Sequence, residues 1–132
     1  MLLVDTNVLV DVLQNDPQWA EWSIGQMRAQ ASLHALVINP VIYAEVSLSF
    51  STLEALEGVV DTLGLEVREV PRPALFLAAK AYALYRRRGG SKHQVLPDFS
   101  IGAHAVVEGW PLLTRDPARF KSYFPTLEVI AP

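Results

Sequence analysis

The sequence predicts a single α/β domain with a central, mostly parallel sheet. Short apolar runs alternate with longer stretches of helical periodicity along all 132 residues. The apolar runs are continuous, which is typical of strands buried on both faces. The length suits one compact domain with a sizeable core, and no repeat or linker marks a boundary. We therefore expect one domain over residues 1–132, with helices on both faces of the sheet.

Each predicted element follows from a local pattern. Asp16 and Pro17 are expected to start the second helix, as N-cap and first residue, and Gly89 and Gly90 to end the fifth. The predicted strands are 2–4, 35–38, 67–70, 112–113 and 127–130. The predicted helices are 7–14, 16–31, a segment from residue 40 that carries Phe50, a segment from 51 or 52 to about 64, 74–88, 97–109 and a short one after Asp116.

Composition excludes several classes of protein. With 51% hydrophobic and 19% charged residues, the chain is not expected to be disordered. The lack of cysteine excludes disulfides, thiol catalysis and Cys-ligated zinc or iron–sulfur sites, and is compatible with a reducing cytoplasm. The most apolar stretch, residues 74–85, contains Lys80 and is too short to span a bilayer, and the N-terminus has no basic segment of a secretory signal. We expect a cytoplasmic protein outside the membrane.

The net charge of −3 hides a strong asymmetry. Residues 1–66 carry −8, and residues 67–132 carry +5. A weakly acidic total argues against a nucleic-acid partner, but this division makes that argument unsafe.

Four acids lie where an α/β sheet places its functional groups. Asp5 ends the first strand, Asp98 lies at the start of a helix, Asp116 follows the fourth strand, and Glu45 is in the second turn after Pro40. Sites in such sheets form at the carboxyl ends of the strands. Taken singly, Asp5, Asp98 and Asp116 are also explained as helix N-caps, and Glu45 as a solvated residue.

Four converging carboxylates would repel one another unless a cation lies among them. Without cysteine or paired histidines, the ligands are carboxylate, hydroxyl and water, which favours Mg²⁺ or Mn²⁺ over Zn²⁺. Such an ion activates water and stabilises the charge that develops on a phosphodiester. Metal-assisted phosphodiester hydrolysis is therefore the expected chemistry.

Four motifs in order resemble the PIN-domain family and, more narrowly, the VapC-type ribonuclease toxins of toxin–antitoxin pairs. The resemblance covers essentially the whole chain. It implies a three-layer α/β/α fold, a Mg²⁺- or Mn²⁺-dependent endoribonuclease, a VapB-type antitoxin as partner and a homodimer. The motifs are Leu-Val-Asp-Thr-Asn-Val-Leu-Val-Asp at 3–11, Pro-Val-Ile-Tyr-Ala-Glu at 40–45, Leu-Pro-Asp-Phe-Ser-Ile-Gly-Ala-His-Ala at 96–105 and Leu-Thr-Arg-Asp-Pro-Ala-Arg-Phe at 113–120.

The resemblance also assigns roles to residues. It implies that Asn7 supports the acidic site and that Thr114 holds an acid or a water. Many relatives carry another acid where this chain has Arg119, which argues against a fully formed second metal site. The implied catalytic quartet is Asp5, Glu45, Asp98 and Asp116, with Asp5, Asp98 and Asp116 as metal ligands.

Basic residues are expected at the rim of the acidic site, because RNA would otherwise be repelled. The densest basic run ends at His93, and it is also explained as a charged helix C-terminus. The predicted RNA-binding residues are Arg86, Arg87, Arg88, Lys92, Arg115 and Arg119.

Aromatic and histidine side chains have simpler explanations. The spacing of Trp19, Trp22 and Met27 indicates core or a partner groove rather than a base-stacking platform, and the resemblance implies that the antitoxin binds near the early helices. His104 is expected to be packed, and His34 and His93 receive no role. Apolar positions expected to contribute to a dimer are Leu48, Phe50 and Tyr82.

Two other classes of function compete with the nuclease. The first is a catalytically silent PIN domain that only binds RNA or protein, and the presence of all four acids counts against it. The second is a receiver domain or a haloacid-dehalogenase-type phosphatase. Such a phosphatase requires an acid where Asn7 stands, and a receiver requires neighbouring acids that are absent around Asp5.

Overall fold

The structure, a computed structural model, describes residues 1–92 and 95–132. Its centre is a five-stranded sheet in the order β3-β2-β1-β4-β5, and every neighbouring pair is parallel. This confirms the predicted α/β class with a mostly parallel sheet. The strands are β1 (Leu2–Val4), β2 (Leu36–Ile38), β3 (Glu66–Val67), β4 (Leu112–Leu113) and β5 (Val129–Ile130).

Helices connect the strands along the described residues. The helix α6 (Leu96–Glu108) is followed by its C-cap Gly109, which adopts the left-handed conformation with φ of 70°, as the sequence predicts for a glycine that ends a helix. The helices are α1 (Thr6–Leu13), α2 (Ala20–Ala31), α3 (Pro40–Ser47), α4 (Leu53–Thr62), α5 (Arg72–Arg87), α6 (Leu96–Glu108) and α7 (Ala118–Tyr123).

The core surrounds the three central strands. Every residue of β1, β2 and β4 is buried, so side chains on both faces of the sheet are covered, as continuous apolar strands require. Helix side chains such as Ile42, Phe99 and Ile101 complete this core. Among the described residues, no helix has the length and hydropathy needed to cross a membrane.

Two predicted helix boundaries are wrong. α2 begins at Ala20 and not at Asp16, because the Asp16 carboxylate accepts hydrogen bonds from the backbone N–H groups of Gln18 and Trp19 and holds a turn there. α3 ends at Ser47 and leaves Phe50 outside the helix. Three of the strands, β2, β3 and β5, are also shorter than predicted.

Asp98 and Asp116 are not helix caps. α6 begins at Leu96, two residues before Asp98, and its N-cap is Val95. α7 begins after Asp116 with Pro117 as N-cap, and neither helix has a side-chain capping bond. Both carboxylates therefore have no capping role. Asp5, in contrast, is the N-cap of α1 and accepts a hydrogen bond from the Thr6 N–H at 2.8 Å.

Polar residues follow the central strands at one edge of the sheet. Asp5 follows β1, Asn39 follows β2 and Thr114 follows β4, and all three are buried. The backbone N–H of Asp5 donates to the carbonyl of Leu113 at 2.9 Å, so hydrogen bonding to β4 fixes the backbone position of Asp5. Because parallel strands end at the same edge, residues that are far apart in sequence come together here.

Candidate active site

A cavity of about 210 Å³ opens at this edge and contains three of the four predicted acids. Asp5 reaches it from the end of β1, Asp98 from the first turn of α6 and Asp116 from the loop before α7. The structure thus brings together the three predicted metal ligands and Asn7, and it does not place Glu45 in the lining. The lining residues are Asp5, Asn7, Asp98, Asp116, Ala118, Arg119 and Phe120.

The hydroxyl of Thr114 connects the residues around Asp5. It donates to Asp5 Oδ2 at 2.7 Å, and it accepts from Asn7 Nδ2 at 3.3 Å and from the backbone N–H of Asp116 at 3.1 Å. Asn7 Oδ1 in turn accepts from the backbone N–H of Arg115 at 3.1 Å. Thr114 therefore orients one acid directly and fixes the backbone of a second.

Burial makes the ionised form of Asp5 unfavourable. Burial raises its pKa to about 7, and the nearby charges of Asp98 and Glu45 act in the same direction. The hydrogen bonds from Thr114 and from the Thr6 N–H oppose this shift but do not cancel it. An ionised Asp5 would therefore gain much from a cation in the cavity.

Glu45 approaches the site through Thr6 and not through the cavity. The Thr6 hydroxyl donates to Glu45 Oε1 at 2.6 Å, which joins the second turn of α3 to the start of α1. The sequence reasoning predicted that Glu45 reaches back toward the strand ends, and this contact confirms that reach. It did not identify Thr6 as the residue in between.

Asp98 is paired with a cation of the chain itself. Arg119 Nη1 donates to Asp98 Oδ2 at 2.5 Å, and both side chains are about one-third exposed. Burial raises the pKa of Asp98, the charge of Asp116 adds to this rise, and Arg119 opposes it. Within residues 1–92 and 95–132, no three His, Asp or Glu side chains are already arranged to hold a metal ion.

Arg115 is engaged in a structural contact. Its guanidinium donates to both carboxylate oxygens of Asp11, at 2.8 and 3.1 Å, and lies 5.5 Å from the centre of the Trp19 ring. The hydrogen bond with Asp11 raises the pKa of Arg115. Ser23 donates to the same carboxylate at 2.9 Å, so this group ties α1 and α2 to the loop after β4.

Sequence reasoning missed the role of Asp11, although a signal was present. Asp11 lies three residues after Val8, on the buried face of α1, and is itself 2% exposed. A charge at a core-facing helical position requires a partner. Because the Arg115 guanidinium is paired with Asp11, the position of Arg115 does not support its predicted contact with RNA.

The end of the basic run is linked through two tyrosine rings to Arg119, which lines the cavity. Arg88 lies over the Tyr123 ring at 5.2 Å, Arg119 lies over the Tyr85 ring at 5.8 Å, and the two tyrosine rings are 6.1 Å apart. The remaining predicted bases, Arg86, Arg87 and Lys92, are exposed. His93, which closes the run, lies outside the described residues.

Other predicted positions are packed. His104 is fully buried, as predicted, and its Nδ1 lies 3.1 Å from Asn39 Nδ2. Met27 is buried and Trp22 packs against the core, which confirms the preference for core at these two positions. Trp19 is half-buried and contacts the Trp22 ring and Arg115. Of the three predicted dimer residues, Leu48 is 89% exposed, whereas Phe50 and Tyr82 pack against the core.

The residues of the cavity fit a hard divalent cation. Asp5, Asp98 and Asp116 supply carboxylate oxygens, and Asn7 supplies an amide, which is the donor set that Mg²⁺ and Mn²⁺ prefer. Burial, with a smaller contribution from the charges of Asp98 and Glu45, raises the pKa of Asp5, so a cation in the cavity would stabilise its ionised form. A soft metal would lack thiolate and paired imidazole ligands, because the chain has no cysteine.

Comparison with known proteins supports the same fold. No curated protein matches this chain in sequence. The VapBC2 complex of Rickettsia felis bound to a promoter DNA fragment contains a chain of 18% identity and TM-score 0.76, covering 99% of this chain and 98% of that one. A DNA-bound VapBC of Salmonella typhimurium contains a chain of 21% identity and TM-score 0.72, and the match covers 99% of this chain and 98% of that one. A toxin–antitoxin complex of Klebsiella pneumoniae contains a chain of 20% identity and TM-score 0.62, and the match covers 98% of this chain and 96% of that one. The family model for the PIN domain matches residues 2–123, so the chain belongs to the PIN domain family.

Proposed function

We propose that this chain is a Mg²⁺- or Mn²⁺-dependent endoribonuclease, the VapC-type toxin of a toxin–antitoxin pair. One observation carries the proposal: Asp5, Asp98 and Asp116 line one cavity at the carboxyl edge of the sheet of a PIN domain. Carboxylates that gather around a polar cavity are suited to bind a divalent ion that faces a phosphate group.

The chain's own residues have distinct roles in this mechanism. Asp5, Asp98 and Asp116 would hold the ion. Thr114 orients Asp5, and Asn7 holds the loop after β4 through Thr114 and the backbone of Arg115. Glu45, held by the Thr6 hydroxyl, adds negative charge that acts on Asp5. The bound ion would supply an activated water and stabilise charge on the phosphodiester.

The basic residues make the approach of RNA favourable. Arg88 and Arg119 contact neighbouring tyrosines beside the cavity, and Arg86 and Arg87 are exposed at the same helix end. We assign Arg86, Arg87, Arg88, Lys92 and Arg119 to the RNA-binding rim. We do not assign Arg115 to this rim, because its guanidinium is paired with Asp11.

The carboxylates are tested by substitution. Asp98→Asn or Asp5→Asn should abolish RNA cleavage and growth inhibition while the protein stays folded, because each removes a charged ligand and keeps the shape of the side chain. EDTA should stop cleavage by the wild type, and Mg²⁺ or Mn²⁺ should restore it. Cleavage is measured on labelled cellular RNA by gel electrophoresis.

The matched control is Asp61→Asn on the exposed surface of α4, which makes the same chemical change away from the cavity. This variant should cleave RNA like the wild type. Wild-type cleavage by Asp98→Asn or by Asp5→Asn would show that the assigned site is wrong.

The partners follow from the same proposal. We infer that the chain is neutralised by a cognate VapB-type antitoxin, acts in the cytoplasm and forms a homodimer. The support is that chains found in VapBC complexes share its fold, together with the exposed Leu48 at the end of α3. Co-expression with the protein of the adjacent reading frame, followed by co-purification and mass measurement, tests partner and stoichiometry.

A catalytically silent PIN domain that binds RNA or protein is the second candidate. The ion pair between Arg119 and Asp98 favours it, because a cation of the chain already neutralises one of the acids. RNA binding by the wild type without cleavage, at any tested concentration of Mg²⁺ or Mn²⁺, would select this alternative.

A further inference from the structure

Arg119 is a cation inside the acidic cavity. It lies in α7 and lines the same cavity as Asp5, Asp98 and Asp116. Its Nη1 donates to Asp98 Oδ2, and its guanidinium carbon lies 5.8 Å from the centre of the Tyr85 ring. The side chain is therefore held between a carboxylate and an aromatic face.

This position sets Arg119 in competition with a metal ion. A guanidinium stays protonated and offers no lone pair, so it cannot be a metal ligand itself. While it donates to Asp98 Oδ2, it uses a lone pair of that oxygen and offsets part of the carboxylate's charge, so an ion that takes Asp98 as a ligand competes with it. Both partners are about one-third exposed, so water reaches them and separation leaves no buried charge unpaired.

A released Arg119 would still face the cavity. The Tyr85 ring offers it a second contact, and Arg88 lies over the adjacent Tyr123 ring. A guanidinium has the planar fork that matches phosphate oxygens, and a phosphodiester at the metal would lie within this positive region. We propose that Arg119 is a phosphate-binding residue that is held on Asp98 until a divalent cation replaces it there. This inference rests on the proposed function.

A purely structural role for the pair is the competing explanation. α6 and α7 are already joined by other contacts: a Cβ on Gly102 would meet the rings of Phe120 and Phe124, and the Phe99 and Tyr123 rings are 5.2 Å apart. These contacts do not involve Arg119. Arg119→Gln should therefore fold normally, which circular dichroism and thermal unfolding will check, and Arg119→Met, which also removes the charge, serves if it does not.

The first experiment measures metal binding without RNA. Isothermal titration with Mn²⁺ should show roughly two- to fivefold tighter binding by Arg119→Gln than by the wild type, in line with the loss of a competing, partly exposed ion pair. Lys121→Gln is the control, since it removes the same charge from an exposed position on the same helix. Equal affinities for the wild type and Arg119→Gln, or equal gains for both variants, would overturn the inference.

The second experiment measures binding of phosphodiesters. Fluorescence anisotropy with a short single-stranded DNA, its integrity checked on a gel, is recorded with Mn²⁺ and with EDTA. Arg119→Gln should weaken binding about five- to tenfold with Mn²⁺ and less than about twofold with EDTA, since Arg119 is free only when the metal holds Asp98. The same loss in both conditions, or no loss in either, would contradict the inference.

These outcomes separate the inference from the proposed function. If the wild type binds no Mn²⁺, both fail together. If the wild type binds Mn²⁺ and cleaves RNA while Arg119→Gln has unchanged Mn²⁺ affinity, only the role of Arg119 is wrong.

Discussion

Thr114 shows how one hydroxyl organises several parts of the chain. It donates one hydrogen bond and accepts two, which is the full capacity of the group. Its partners come from the end of β1, from α1 and from the loop before α7. A buried carboxylate that receives such support keeps its orientation despite the cost of burial.

The hydrogen bonds of Asn39 fix the protonation state of His104. Asn39 Oδ1 accepts from the backbone N–H of Ile42, so its amide nitrogen faces His104 Nδ1 at 3.1 Å. Nδ1 must then accept, which makes the ring neutral with its proton on Nε2. Burial lowers the pKa of His104, and the charge of Glu108 opposes this only in part.

This arrangement predicts a loss of stability in acid. Because the unfolded chain takes up a proton at His104 before the folded chain does, the free energy of unfolding should fall as the pH drops below about 6.5. The slope from one proton is at most about 1.4 kcal/mol per pH unit. Urea unfolding of the wild type and of His104→Gln between pH 5 and 7.5 measures it.

The two unfolding curves must be compared, because Asp5 acts in the opposite direction. Its raised pKa favours the folded state in acid, and this contribution is lost as the pH rises toward about 7. Both proteins contain Asp5, so the difference between them reports His104. Parallel curves would show that His104 is not held neutral in the folded protein.

At the scale of elements, the contact between α6 and α7 determines where Asp98 and Arg119 lie. Gly102 occupies the buried face of α6, where an added Cβ would lie 2.5 Å from a ring carbon of Phe124. Phe120 and Phe124 are themselves buried, so their rings have little room to move. A small residue is therefore required at this crossing.

Gly102→Ala should destabilise the protein by about 1–3 kcal/mol, the usual cost of overpacking. Gly58→Ala is the matched control, because nothing lies within 4 Å of its added Cβ in the interior of α4. That change should stabilise by about 0.4–1 kcal/mol. Chemical denaturation measures both, and equal effects of the two substitutions would contradict the packing argument.

Apolar pattern alone accounted for most of the elements. Continuous runs such as 2–4 and 112–113 were recognisable as strands because both faces of the sheet are covered. The starts of α2 and α7 are harder to predict, since Asp-Pro signals also occur in turns that precede a helix. Asp98 accepts a hydrogen bond from Arg119, which is 21 residues away in sequence. A local sequence pattern does not predict such a contact.

The candidate site was predictable to a similar degree. The acids stood out because they follow strands or start helices, and parallel strands end together. The partners of those acids were not recognisable in the sequence. The contacts of Thr6 with Glu45 and of Arg119 with Asp98 depend on how the helices pack. The buried Asp11 was overlooked although its helical position placed it in the core.

At the scale of the whole molecule, the cavity lies where the two differently charged parts of the chain meet. Asp5 and Glu45 come from the acidic first half, and Asp98 and Asp116 come from the basic second half. Arg119 brings positive charge into the cavity, and Arg88 lies over the neighbouring Tyr123 ring. A total of −3 is therefore consistent with binding a polyanion, because the distribution of charge decides the field it meets.

This distribution predicts a localised dependence on salt. Replacing Arg86 and Arg87 by alanine should weaken binding to a short single-stranded RNA and reduce the slope of log K against log salt by about 1.4, since each phosphate contact on a single strand contributes about 0.7. The control is Arg72→Ala with Lys80→Ala, which removes the same charge from exposed positions nearer the start of the same helix. Anisotropy between roughly 50 and 200 mM salt in EDTA measures both without cleavage. Equal slopes for the two double variants would mean that only total charge matters and that the end of α5 is not part of the RNA-binding surface.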